Sequence, residues 1–134
     1  MKQALLIIVV LLLALGAFFE PAIARDLGQW ENTDPAVHQW YQNLKRPDYP
    51  QGLCCTEADA YWADEIHVRN GKTYAVVTDD RDDGPLRRPH IPNGTEFEVP
   101  DVKLKWDSSN PTGHSVLFVS TRGDIYCFVQ GGGT

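Results

Sequence analysis

Apolar residues along this chain change their spacing twice, and each spacing predicts a different kind of element. Residues 4–19 are an unbroken apolar stretch behind Lys2. After it, Val37, Trp40, Tyr41 and Leu44 fall at i, i+3, i+4 and i+7, the signature of one apolar helical face. Asp34-Pro35 immediately before them reads as an N-cap followed by proline at the first helical position. Pro47 and Pro50 close that helix. A very short helical turn is expected from Thr56, with Asp59 as its capping-box partner.

From Trp62 onward the period becomes two. Asn70-Gly71 is a two-residue hairpin turn. Centring the hairpin there sets Ile66 opposite Ala75 and Val68 opposite Thr73 on one face. The other face carries His67 opposite Tyr74 and Glu65 opposite Val76, a mixed surface that calls for partial cover. Asp79 to Pro92 reads as a charged, solvated, proline-containing loop. Asn93-Gly94 turns into a strand in which Phe97 and Val99 face one way and Glu96 and Glu98 the other. Val102, Leu104 and Trp106 continue the alternation past Pro100, and Asn110-Pro111-Thr112-Gly113 is a turn cluster. Residues 116–119 and 125–129 are nearly continuous apolar runs, suited to strands buried on both faces. The pattern predicts an α+β domain, with one short helix packed on a compact, mostly antiparallel sheet of about five strands, open or curled into a small barrel.

The leading apolar stretch changes where that domain is expected to work. A positive residue, an apolar run and the small-x-small sequence Ala22-Ile23-Ala24 make a secretory signal over residues 1–24. The alternative is an uncleaved anchor, which the run is short for, since a bilayer takes ~20 residues. Residues 25–33 then form an irregular arm with Trp30 as its anchor, residues 34–130 the domain, and residues 131–134 a flexible tail. The whole chain carries 18 acidic and 12 basic residues, a formal net charge of −6. An acidic domain is a poor partner for nucleic acid, and the membrane enters only through the signal segment if uncleaved.

Export puts the three cysteines in an oxidising compartment, where a disulfide is the default. Adjacent cysteines rarely bond to each other, so the expected bridge joins Cys55 to Cys127, with Cys54 as the alternative partner. A loop of that length stabilises by about 4 kcal/mol on the chain-entropy model. The same sulfurs support a second reading, in which Cys54 and Cys55 with His114 hold copper or zinc. The spacing of a specific metal motif is missing, so no cofactor is the first expectation. A third reading pairs Cys127 with His114 as nucleophile and base, although an apolar run is a poor place to ionise a thiol. The expectation is therefore no catalytic residue.

The other polar features have plain explanations. His38 is expected to be solvated, His67 to sit in a cross-strand pair, and His90 to lie among prolines in the charged loop. Residues 79–90 lack the acceptors that a calcium loop needs at its third and twelfth positions. Arg122-Gly123-Asp124 matches an adhesion tripeptide but also suits a strand-to-strand turn, and Asn93-Gly94-Thr95 matches a glycosylation pattern that equally serves a turn.

Several of these stretches, Cys54-Cys55-Thr56-Glu57-Ala58-Asp59, Leu104-Lys105-Trp106, Asn110 to His114 and Tyr126-Cys127-Phe128, together resemble a group of small exported bacterial proteins of unknown function. The likeness spans residues from about Trp40 to Val129. Relatives of the pattern often carry another cysteine where this chain has Ala60. The resemblance implies export and a cysteine-tied fold, and it implies no activity. The expectation from sequence is a non-enzymatic, periplasmic or secreted domain that binds a protein or small ligand at the cell envelope.

Overall fold

The computed structural model describes residues 33–131. The expected signal segment and nearly all of the arm lie outside those residues. Helix α1 spans Pro35–Asn43, begun as the sequence implies, with the Asp34 side chain accepting from the Ala36 N–H at 2.8 Å and Pro35 in the first turn. It buries Tyr41, and Leu44 just beyond its end is buried too, while Val37 and Trp40 pack beside them. A 3-10 turn follows at Glu57–Asp59, but Thr56 makes no side-chain cap, so the expected capping box is not formed.

Seven strands follow: β1 (Ala60–Trp62), β2 (Glu65–Arg69), β3 (Lys72–Val76), β4 (Glu96–Val99), β5 (Leu104–Trp106), β6 (Val116–Val119) and β7 (Ile125–Gln130). They form two sheets, one ordered β1-β6-β7-β5 and the other β2-β3-β4, rather than the expected sheet of about five. The sheets do not close into a barrel. Only β5 runs parallel to its neighbour, β7. The β2–β3 hairpin has the predicted register, including Ile66 with Ala75 and His67 with Tyr74. Its turn works because Asn70 and Gly71 both take positive φ (52° and 74°), the twist a two-residue hairpin requires.

The four-stranded sheet is the middle layer. One face packs under α1, through Ala60, Val116, Phe118, Cys127 and Val129 against Tyr41, Leu44 and Cys54. The opposite face, through Tyr61, Leu117, Val119 and Phe128, packs on Ala75, Val77 and Val99 of the three-stranded sheet and its flank. Val116 to Val119 is therefore apolar at every position because both faces are covered.

The segment after β3 is not the solvated loop the sequence suggests. The Asp79 side chain is 0% exposed and the Arg88 side chain 1%. Between them a single helical turn, α2 (Asp83–Leu86), is capped by Asp82. Asp79 accepts from the Trp62 N–H at 3.0 Å, and Arg88 donates to the Ala60 carbonyl at 2.6 Å and to Asp79 at 2.7 Å. These side chains satisfy the outer edge of β1, where a neighbouring strand would otherwise pair. Two charges are tolerated there because each is paired and hydrogen-bonded.

Candidate functional site

The chain leaves α1 at Leu44, loops through Pro47 to Gly52, and returns beside itself. The Cys54 N–H donates to the Leu44 carbonyl at 2.9 Å, and Lys45 bridges to Leu53. This return brings Cys54 under the helix with 0% exposure, facing Cys127 of β7. The two are bonded, with their Cα atoms 5.5 Å apart. Cys54, not the expected Cys55, is thus the partner of Cys127. The reason is local: Cys54 continues the inward return strand, whereas Cys55 takes φ +88° and its thiol is left free and half-buried.

Cys55 lines a cavity of about 300 Å³ together with His38, Tyr41, Gln42, Leu53, Thr56 and Glu57. That volume is at the lower end of small-ligand sites. His38, Tyr41 and Gln42 reach it from one flank of α1, at i, i+3 and i+4. The polar groups are organised. The Gln42 amide donates to His38 Nε2 at 2.8 Å, which leaves His38 Nδ1 to carry the proton toward Glu57 Oε2 at 3.3 Å. His38, with its side chain 30% exposed, is thus paired through both ring nitrogens rather than simply solvated as expected. Burial pushes the Tyr41 hydroxyl up to about 12, so it stays protonated. Burial first, and the Asp59 charge second, push the Cys55 thiol up to about 11. At neutral pH the thiol is therefore protonated.

His114, read from the sequence as a metal ligand or a base, lies elsewhere. Its ring stacks on Trp62 with centroids 3.8 Å apart, and its Nδ1 is 2.7 Å from Asp64 Oδ2. Asp64 also accepts from the Ser115 N–H, and the Arg81 guanidinium sits 4.0 Å from the Trp62 ring centre. Cys54, Cys55 and His114 are not brought together as a metal site, and Cys54, being bonded, has no thiolate to give. Among the described residues no group of three histidine, cysteine or acidic side chains is placed to hold a metal ion. The Cys127–His114 nucleophilic pair is likewise not formed, because Cys127 is in the disulfide.

Sequence reasoning missed His38 and Glu57 as members of one wall. The only trace was the i, i+3, i+4 set of His38, Tyr41 and Gln42 next to the apolar stripe. No protein-family model matches this chain, and no solved structure matches it.

Proposed function

We propose that the chain is an exported, non-enzymatic binding domain of the cell envelope, holding a small amphipathic ligand in the cavity beside α1. The observation that carries this reading is the composition of that cavity. Tyr41 and Leu53 give it apolar walls, and the paired His38 and Glu57 give it oriented polar groups. Such a mix of apolar lining with a few fixed polar groups is what small-molecule sites use. The Cys55 thiol in the same wall favours binding over nucleophilic catalysis, because its raised pKa keeps it protonated. Export rests on the signal-like start of the sequence and agrees with a buried disulfide.

The test is a fragment screen on 15N-labelled domain. Hits should shift the resonances of His38, Leu53, Cys55 and Glu57 as a set, and Leu53→Trp, which fills the cavity, should abolish them. Hits that map elsewhere, or that survive Leu53→Trp unchanged, would remove this reading. Turnover of substrate by the purified domain that disappears in Cys55→Ser would replace it with a cysteine-dependent enzyme.

A further inference from the structure

The opposite flank of α1 carries a second recess, an open groove of about 370 Å³ between the helix and the segment leaving β5. Gln39, Trp40 and Asn43 reach it from the helix, Lys45 from the return loop, and Lys105 and Asp107 from the sheet side. We infer that this groove is a separate binding site for a neutral polyhydroxylated ligand, a small saccharide. The inference does not depend on the cavity at the other flank.

Its fixed parts come first. Trp40 Nε1 donates to Asp107 Oδ2 at 2.9 Å, and Ser109 donates to Asp107 Oδ1 through both its N–H and its hydroxyl. The indole is therefore pinned in place as a lining surface, and an apolar sugar face packs well on such a ring.

The unspent groups come next. Lys105 Nζ gives one proton to the Lys45 carbonyl at 3.0 Å and keeps others. The Asn43 amide donates to the Gln39 backbone carbonyl at 2.8 Å, leaving its own carbonyl oxygen as an acceptor. Among the described residues the Gln39 side-chain amide has no partner. Donors and acceptors thus stand side by side around an aromatic surface, which matches hydroxyl groups that both give and accept.

Charge decides between a sugar and an anion. The two lysines line the groove together with the Asp107 carboxylate and the C-terminal end of α1, which acts as about half a negative charge. Two lysines against one carboxylate and about half a negative charge leave only about half a positive charge, so a phosphate or carboxylate gains little net attraction and a neutral hydroxylated molecule forgoes little by carrying no charge.

The experiment is a titration of 15N-labelled domain with the N-acetylglucosamine disaccharide, cellobiose and maltose through the millimolar range, with sodium phosphate as the anion comparator. At least one disaccharide should saturably shift the Trp40 indole and the Gln39 and Asn43 side-chain amides. Gln39→Ala and Asn43→Ala, both exposed and so expected to fold normally, should each weaken that binding by about fivefold, the worth of one neutral hydrogen bond. The inference is overturned if no disaccharide gives a saturable shift, if phosphate saturates the same resonances as tightly, or if both variants bind as the parent does.

Discussion

Replacing Arg88 with methionine is the sharpest test of how the segment after β3 is held. The Arg88 side chain is 1% exposed and makes three polar contacts, to Asp79, to the Ala60 carbonyl and to Asp83, while its guanidinium lies 4.4 Å from the Tyr61 ring centre. Methionine keeps the stem's bulk and loses every polar contact. The dominant cost is the Asp79 carboxylate left inside with one fewer cation. Breaking a buried pair in this way costs about 3–5 kcal/mol. The low end applies, because Arg81 still reaches both Asp79 oxygens, at 2.8 and 2.6 Å. Arg88→Met should therefore destabilise by about 3 kcal/mol, a large part of the roughly 5–15 kcal/mol typical of a whole domain. Arg81→Met should cost about 1 kcal/mol, since that side chain is 28% exposed and partly solvated already. Asp79→Asn combined with Arg88→Met should be less damaging than Arg88→Met alone, because the orphaned charge is then gone. Urea unfolding followed by tryptophan fluorescence at pH 7 reads all three. The reasoning fails if Arg88→Met costs under about 1 kcal/mol, or if adding Asp79→Asn recovers nothing.

Three further outcomes follow from the same geometry. Replacing Cys54 and Cys127 together with alanine should lower stability by about 4 kcal/mol, the entropy of closing a 73-residue separation, while Cys55→Ala should cost far less, as paired urea curves would show. Burial alone would raise the Asp79 pKa, but hydrogen bonds from Arg81, Arg88 and the Trp62 N–H outweigh it and hold it below the ordinary range. A carboxyl depressed in the fold stabilises above its unfolded value, near 3.9, and loses that contribution as pH falls; stability should thus drop below about pH 4, with a flatter acid limb in Asp79→Asn. Iodoacetamide should label Cys55 slowly at pH 7 and about tenfold faster for each unit of pH up toward 11; a plateau near pH 8 would mean that the thiol is not held up as described.

Some of this architecture could be read directly from the residues. The β2–β3 register was legible because Asn70-Gly71 admits only a tight turn, and that turn fixes every pair beyond it. Helix α1 was legible because its cap, its proline and its apolar stripe agree. The two-sheet arrangement was hidden because β1 is three residues long, too short for a period to register, and because β5, although its alternation shows, pairs in parallel with β7 rather than with β6, the next strand in sequence. The buried pair of Asp79 and Arg88 looked like solvated charge, since local sequence carries no sign that the Ala60 carbonyl and the Trp62 N–H wait opposite. Nothing local in the sequence separates the adjacent sulfurs at 54 and 55, and the expectation fell on Cys55 rather than on Cys54. The backbone φ at Cys55 separates them, and no neighbouring residue announces it. The candidate cavity was obscured for a similar reason: its His38–Glu57 contact spans nineteen positions and depends on how the return loop folds.

The way the margin of β1 is finished has a consequence for the life of the molecule outside its folded basin. Carboxylate and guanidinium groups stand in for a missing strand, so the seam is only as durable as the stretch that carries them. A protease cut near the exposed Gly84-Pro85 tip would let that stretch swing away and uncover the Ala60 carbonyl and the Trp62 N–H. Unpaired edge groups of that kind pair one chain with the next. Damage at a single surface point would thereby turn a self-contained domain into a template for aggregation.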